Sequence, residues 1–142
     1  MAADNILTQQ YLIKGWDFTR AGEASCDVKN TLKQIGISQD VIRRVAIASY
    51  EAEMNVVMYA RKGKMKCEID TIRIKITIED EGPGIKDINL AMQEGFSTAT
   101  PEMREMGFGA GMGLPNIKRN SDSFHISSVV GRGTKLEMLF HL

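Results

Sequence analysis

Apolar and polar residues alternate along two neighbouring stretches near the middle of the chain. In the first stretch Met65, Cys67 and Ile69 alternate with lysines and a glutamate, and in the second stretch isoleucines occupy positions 72, 74, 76 and 78. A period of two predicts strands that have one buried face and one solvated face. This pattern is typical of an antiparallel or mixed sheet.

Apolar residues recur at helical spacing in two longer stretches closer to the N-terminus. The first stretch covers residues 22–35, and Gly36 suits the position after its last turn. Ser38 can cap a second helix, whose apolar stripe runs from Val41 to Tyr59. The remaining predicted elements are a first strand over 11–20, short helices over 87–94 and 115–120, and a terminal hairpin of 123–130 and 135–140 around the turn GRGT.

This order of elements, β-α-α-β-β-α-loop-α-β-β, predicts an α+β fold. The economical arrangement is a two-layer α/β sandwich, in which a mixed, mostly antiparallel sheet carries the helices on one face. The length of 142 residues fits one domain, 1–142, in which residues 1–10 form a flexible tail or begin the first strand.

The charge composition argues against partners that are attracted through long-range electrostatics. The chain has 18 Lys plus Arg and 18 Asp plus Glu, so its formal net charge is zero. We therefore expect no direct nucleic-acid partner and no anionic membrane surface as a partner. Cys26 and Cys67 lack metal-binding spacing and are expected to be free thiols. Neither a signal peptide nor an apolar run of ~20 residues is visible, which predicts a cytoplasmic location.

The stretch ITIEDEGPGI places a carboxylate at the end of a strand, where the chain turns tightly. Asp80 has the same parity as the isoleucines before it, so its side chain is predicted on the helix-covered side of the sheet. A carboxylate in that position needs hydrogen-bond donors. Gly82 and Gly84 leave the backbone open beside it, which lets a flat ligand approach closely. An ordinary turn at a strand end is the alternative interpretation.

Glu51 and Asn55 lie four residues apart on the second predicted helix and face the same way within an apolar surface. A carboxylate can accept a proton from a hydroxyl or a water, and an amide oxygen is a ligand suited to Mg²⁺. The alternative role for Glu51 is an ion pair with Arg44, which lies on the same strip of the helix. Glu53 falls on the opposite flank and is predicted to be solvated.

Glycines alternate just before the last predicted helix, in the stretch GFGAGMGLPNIKR. The glycines at 107, 109, 111 and 113 allow backbone N–H groups to converge on an anion, and the helix N-terminus adds positive potential. The spacing fits neither the dinucleotide fingerprint G-x-G-x-x-G nor the phosphate loop G-x-x-x-x-G-K-[ST]. A loop without a ligand is therefore the alternative interpretation.

Taken together, these motifs resemble those of the ATPase superfamily of gyrase, Hsp90-type chaperones, histidine kinases and mismatch-repair proteins. The shared motifs are E-x-x-x-N on a helix, D-x-G-x-G after a strand, G-x-G-x-G-L before a helix and G-x-G-T in a late hairpin. The resemblance covers about residues 10–142 and implies a Bergerat-type ATP-binding fold. The stretches EDEGPGI, QEGFSTA and GAGMGLPNIKR look most like anti-sigma-factor serine kinases and the switch kinases of bacterial partner-switching modules.

The resemblance implies roles for individual residues. Glu51 matches the family's general base, Asn55 its Mg²⁺ ligand, and Asp80 the aspartate that bonds the amino group of adenine. Which of Ser97, Thr98, Arg104 and Lys118 contacts phosphate stays open. The residues implied to bind ATP or ADP are Asn55, Asp80, Gly82, Gly84, Ile85, Gly107, Gly109, Gly111, Gly113, Leu114 and Thr134.

The leading functional hypothesis is a serine/threonine protein kinase that uses Mg-ATP. Such a kinase would transfer the γ-phosphate to a small antagonist protein, and it would bind a sigma factor or a phosphatase as its regulatory target. The alternative hypothesis is a non-catalytic protein-binding switch whose partner affinity depends on the bound nucleotide. The resemblance also implies a homodimer, as in kinases of the anti-sigma type.

Overall fold

The computed structural model describes residues 6–97, 99–102 and 112–142 of the chain. Its elements follow the predicted order of strands and helices. Along the chain they are β1 (Leu7–Lys14), α1 (Glu23–Gln34), α2 (Gln39–Tyr59), β2 (Lys62–Ile69), β3 (Arg73–Glu81), α3 (Ile88–Ala91), α4 (Gly113–Asn120), β4 (Ser123–Val129) and β5 (Gly133–His141).

The described strands form one sheet in the order β1-β2-β3-β5-β4. All four pairings in this sheet are antiparallel, so the prediction of a mixed sheet is wrong in that respect. The physical reason is the placement of the terminal hairpin. β3 and β4 run in the same direction, but β5 folds back from β4 and lies between them, which makes every neighbouring pair antiparallel.

The predicted alternation of buried and solvated residues is confirmed along the central strands. Ile74, Ile76 and Ile78 of β3 are 0%, 0% and 2% exposed, and they form part of the core beneath the helices. Ile72 differs because it precedes β3 and is 62% exposed. The core lies between this face of the sheet and the helices, with Val45, Ala48 and Ala52 of α2 fully buried.

The predicted signals at the helix ends are confirmed. Ser38 caps α2, and its hydroxyl accepts the backbone N–H of Val41 at 3.4 Å. Gly36 follows α1 with a φ of 82°, a left-handed conformation that glycine adopts without a steric penalty. Among the described residues, no helix is both long enough and apolar enough to cross a membrane.

The first strand ends earlier than predicted, at Lys14. There the chain turns against the end of α2, because the backbone N–H of Gly15 donates to Arg61 and that of Trp16 donates to Val57. A Cβ atom at residue 15 would lie 1.9 Å from the carbonyl oxygen of Ala60, so only glycine permits this approach. The strand predicted over 11–20 instead spans Leu7–Lys14 and is followed by a turn.

The prediction that Glu53 is solvated is wrong. Its side chain is buried, and its two oxygens accept the backbone N–H groups of Gly22 at 3.0 Å, Ala24 at 3.3 Å and Ser25 at 2.9 Å. These groups belong to the start of α1, whose N-cap residue is a glycine without a side-chain acceptor. The carboxylate on α2 therefore caps α1, because the N-terminus of a helix leaves unpaired donors and attracts negative charge.

Candidate active site

A cavity of about 540 Å³ opens between α2, α3, the start of α4, the end of β3 and the start of β5. Its volume lies within the range of small-molecule sites. Apolar side chains form much of the wall, among them Val56, Ile78, Leu90 and Leu136. The residues predicted from the sequence to bind nucleotide that line this cavity are Asn55, Asp80, Gly84, Ile85, Gly113, Leu114 and Thr134.

The carboxylate of Asp80 is half-buried in the wall of this cavity. Its Oδ1 accepts the backbone N–H of Thr134 at 3.1 Å, and its Oδ2 has no hydrogen-bond partner among the described residues. Burial raises the pKa of Asp80, while the hydrogen bond from Thr134 opposes that shift. The oriented carboxylate can therefore accept a further hydrogen bond from a ligand inside the cavity.

The Gly-Pro-Gly loop after β3 packs against the β4–β5 hairpin. The backbone N–H of Ile85 donates to Oγ of Ser128 at 2.8 Å, and that hydroxyl lies 2.9 Å from Oγ1 of Thr134. At Gly84, which has a φ of 75°, an added Cβ would lie 2.5 Å from the carbonyl oxygen of Val129. Sequence reasoning missed Ser128, since a serine in a strand carries no signal of this contact.

Gly82 does not line the cavity, but it lies directly beside the carboxylate. A Cβ atom added at residue 82 would approach Oδ1 of Asp80 to 3.1 Å and the Cα of Ala60 to 3.1 Å. The glycine thus leaves room for the aspartate side chain next to the end of α2.

The side chains of Glu51 and Asn55 lie close to Gly113, the first residue of α4. A Cβ atom added to Gly113 would lie 3.3 Å from Oε2 of Glu51 and 3.5 Å from Oδ1 of Asn55. The glycine therefore lets the start of α4 approach both polar groups of α2. Burial raises the pKa of Glu51, and a hydrogen bond from the side chain of Asn116 opposes that shift.

The ion pair considered for Glu51 and Arg44 does not occur among the described residues. Arg44 instead pairs with Asp40 and Asp122, each at 3.3 Å. Its guanidinium group also reaches the carbonyl oxygen of Asn120, so it links α2 to the end of α4. Glu51 is consequently free of a cationic partner within the described part of the chain.

Only some of the residues predicted to contact phosphate belong to the described part of the chain. Gly107, Gly109 and Gly111 lie outside the described residues, as do Thr98 and Arg104. Ser97 lines the cavity, whereas Lys118 is exposed on α4 and does not.

The donor set of the cavity suits Mg²⁺ better than a metal held by several side chains. The described residues contain no cluster of three or more histidines, cysteines or carboxylates that could hold an ion. The amide of Asn55 lines the cavity near Gly113 and supplies one hard oxygen. Mg²⁺ is commonly held by one or two protein oxygens together with water and phosphate oxygens, so the residues present fit this ion.

Sequence comparison places this arrangement among known proteins. The family described as histidine kinase-like ATPase domain matches residues 18–140. The serine/threonine-protein kinase RsbT of Bacillus subtilis is 35% identical over 128 residues, which cover 87% of this chain and 88% of that protein. The anti-sigma F factor of Caldanaerobacter subterraneus subsp. tengcongensis is 36% identical over 112 residues, which cover 74% of this chain and 73% of that protein.

Structural comparison supports the same architecture. A chain in the crystal structure of the SiaB-SiaC complex from Pseudomonas aeruginosa superposes with a TM-score of 0.66 at 12% sequence identity. The match covers 97% of this chain and 91% of the other. At this identity the likeness concerns the fold alone, and it agrees with the predicted α+β class.

Proposed function

We propose, on the premise that this chain belongs to the histidine kinase-like ATPase domain family, that its cavity binds ATP or ADP. The observation that carries the proposal is the half-buried carboxylate of Asp80, which the backbone N–H of Thr134 orients in the cavity wall. The amino group of adenine is a donor suited to this carboxylate. The apolar wall around it offers surfaces to the faces of the adenine ring.

We propose further that the protein is a serine/threonine kinase in which Glu51 is the general base. The hydroxyl group of the acceptor gives its proton to the carboxylate of Glu51, and its oxygen forms a bond to the γ-phosphorus. The bond between the γ-phosphorus and the bridging oxygen breaks, and ADP is the leaving group. Burial raises the pKa of Glu51, which makes its carboxylate a better proton acceptor than that of an exposed glutamate.

Asn55 is the proposed protein ligand of Mg²⁺, through its side-chain oxygen. Asn55 lies one helical turn after Glu51, and both side chains face Gly113, so metal ligand and base are adjacent. When bound, the metal would neutralise part of the charge on the phosphate groups.

The proposed phospho-acceptor is a small antagonist protein, and the proposed regulatory target is a sigma factor or a phosphatase. The relatives support this class of partner, since one is named a serine/threonine-protein kinase and another an anti-sigma F factor.

A pair of matched substitutions tests the kinase proposal. Purified protein is incubated with Mg-ATP and an antagonist protein encoded by a neighbouring gene, and phosphoserine and phosphothreonine are measured. Glu51→Gln should lower transfer by a factor of about 100 or more while ADP affinity stays close to wild type. Glu79→Gln, the same change at an exposed position of β3, should leave both unchanged. Transfer by Glu51→Gln at the wild-type rate would contradict the role of Glu51.

A second candidate function is the non-catalytic switch. It is favoured by the relatives that are named anti-sigma factors, because that name describes binding. In this case the cavity would hold nucleotide without phosphoryl transfer. The partner's Kd would then differ between the ATP-bound and ADP-bound protein, although no phosphorylated acceptor forms. Measuring Kd and transfer on the same partner separates the two candidates.

A further inference from the structure

Two hydroxyl groups face each other across the β4–β5 hairpin beside the cavity. Ser128 of β4 and Thr134 of β5 are direct partners in the antiparallel pairing, so their side chains point to the same side of the sheet. Thr134 shares the parity of Leu136 and Met138, which are buried beneath the helices. Both hydroxyl groups therefore lie on the helix-covered side, where Thr134 lines the cavity and Ser128 does not.

The hydroxyl group of Ser128 has three hydrogen-bond contacts, and together they use its whole capacity. Its Oγ accepts the backbone N–H of Ile85 at 2.8 Å. It also lies 3.1 Å from the carbonyl oxygen of Gly133 and 2.9 Å from Oγ1 of Thr134. A hydroxyl group has one proton and two lone pairs, and a carbonyl oxygen only accepts. Ser128 must therefore donate its proton to Gly133, which leaves it one lone pair for Thr134.

The contacts of Ser128 determine the direction of the Thr134 hydroxyl group. Because Ser128 has no second proton to give, Thr134 must be the donor in the hydrogen bond between the two hydroxyl groups. Oγ1 of Thr134 is then only an acceptor toward the cavity, and so is the carboxylate of Asp80, which Thr134 contacts through its backbone N–H. A wall with two neighbouring acceptors suits an exocyclic amino group, which is a donor, and opposes a carbonyl oxygen.

We propose that Ser128 is a positioning residue that sets the base selectivity of the cavity through the Thr134 hydroxyl group. This inference rests on the proposed binding of ATP or ADP in the cavity. A 6-aminopurine presents donors to the two acceptors, whereas a 6-oxopurine presents an acceptor that finds no donor there. Without Ser128 the Thr134 hydroxyl group is free to rotate, and it can then donate to a 6-oxo group.

The test compares ADP with inosine diphosphate (IDP), which carries an oxo group in place of the amino group at position 6. Calorimetry gives the ratio of the Kd for IDP to the Kd for ADP, and this ratio should exceed one in the wild-type protein. Ser128→Ala should lower the ratio by a factor of about five or more. Ser128→Thr keeps the hydroxyl group and should retain the wild-type ratio. Ser127→Ala, at the adjacent exposed position of β4, is the matched control and should leave the ratio unchanged.

A double-mutant cycle tests whether Ser128 acts through Thr134. Thr134→Val removes the hydroxyl group at similar shape and keeps the backbone N–H that orients Asp80. In this background Ser128→Ala should not change the Kd ratio further, because no hydroxyl group remains to be oriented. If Ser128→Ala does not fold, Ser128→Cys serves in its place, since a thiol is only a weak donor and acceptor.

Three results would overturn the inference. One is a wild-type protein that binds IDP as tightly as ADP. Another is the wild-type Kd ratio in a folded Ser128→Ala or Ser128→Cys variant. The third is an equal change of the ratio in the presence and absence of the Thr134 hydroxyl group, since Ser128 would then act by another route.

Hydrogen exchange in the nucleotide-free protein separates this inference from the proposed function. Ser128→Ala leaves the N–H of Ile85 without its acceptor, so the exchange of this amide should become faster, whereas Ser127→Ala should not change it. Unchanged exchange at Ile85 would contradict the contacts on which the inference depends. If the wild-type protein binds neither ADP nor IDP, the proposed function fails, and the selectivity assigned to Ser128 fails with it. If it prefers ADP and Ser128→Ala keeps that preference, only the inference fails.

Discussion

The backbone N–H of Thr134 donates a hydrogen bond of 3.1 Å to Oδ1 of Asp80, although 54 residues of sequence separate them. Gly133 makes this contact possible, because a Cβ atom at that position would lie 1.9 Å from the carbonyl oxygen of Asp80. The β4–β5 hairpin thereby fixes the direction of the carboxylate at the end of β3. Residues of the late G-x-G-T motif and of the D-x-G-x-G motif therefore lie together in the wall of the cavity.

The first prediction concerns recognition of the base by Asp80. Asp80→Asn keeps the shape of the side chain but removes its charge and one acceptor. A hydrogen bond to a charged group contributes about 1.5–3 kcal/mol, so we expect the affinity for ADP to fall by a factor of about 10 or more. Isothermal titration calorimetry measures this change.

The control for Asp80→Asn is Glu81→Gln, one residue later in β3. Glu81 is exposed and pairs with Arg61 and Lys62 at the surface. Its substitution should leave the affinity for ADP unchanged. Wild-type affinity in Asp80→Asn would show that this carboxylate does not recognise the ligand.

The second prediction concerns the pH dependence of nucleotide binding. The ionised carboxylate of Asp80 is the form that accepts a hydrogen bond from adenine, and burial raises its pKa above the ordinary value of 3.8. The affinity for the nucleotide is therefore highest at pH values above the raised pKa of Asp80, and it decreases as the pH falls through that pKa. Calorimetric titrations over a series of pH values should show this loss beginning at a higher pH than an exposed aspartate would give.

The same pH series on Asp80→Asn supplies the control. An amide does not titrate in this range, so the component of the pH dependence that comes from Asp80 should disappear. A variant with the wild-type pH dependence would assign the effect to another group.

The third prediction concerns Gly84, where the loop after β3 meets the hairpin. Gly84→Ala combines two costs: a left-handed φ of 75°, and a Cβ atom only 2.5 Å from the carbonyl oxygen of Val129. Gly131→Ala has only the first cost, since its φ is 84° and nothing lies within 4 Å of the added atom. We expect about 1 kcal/mol of lost unfolding free energy for Gly131→Ala and at least about 2 kcal/mol for Gly84→Ala.

Urea unfolding and ADP affinity distinguish these variants. Gly84→Ala should also weaken ADP binding, because the displaced hairpin carries the Thr134 N–H that orients Asp80. Gly131→Ala should bind ADP normally. Equal unfolding free energies for the two variants would contradict the close packing at Gly84.

The fourth prediction concerns Glu53 and the stability of α1. Glu53→Gln keeps the size of the side chain, but its NH₂ group would face the backbone donors of Gly22, Ala24 and Ser25. We expect a loss of about 2 kcal/mol in the free energy of unfolding, measured with urea. Glu23→Gln, at an exposed position in the first turn of α1, should cost less than about 0.5 kcal/mol. A loss no larger than that of Glu23→Gln would show that the cap contributes little.

The sequence by itself determined the order of the elements and the parity of the site residues. Alternation with a period of two placed Asp80 on the helix-covered side of β3, and the spacing of four placed Glu51 and Asn55 on one face of α2. These patterns are reliable because they depend on local backbone geometry, which repeats every two residues in a strand and every 3.6 residues in a helix. The same motifs carried the resemblance to the superfamily, which the family match to residues 18–140 confirms.

Only the tertiary structure decided which distant groups meet. The capping of α1 by Glu53, the pairing of β5 with β3 and the contact of Gly15 with Arg61 at the end of β1 all join residues far apart in sequence. A helical wheel gives the direction of a side chain but not the element that lies opposite it. Glu53 is an example. Its position on α2 predicts a solvated side chain, but in the structure α1 packs against this flank and supplies three N–H donors. Burial and pairing are properties of the packed chain and not of one helix.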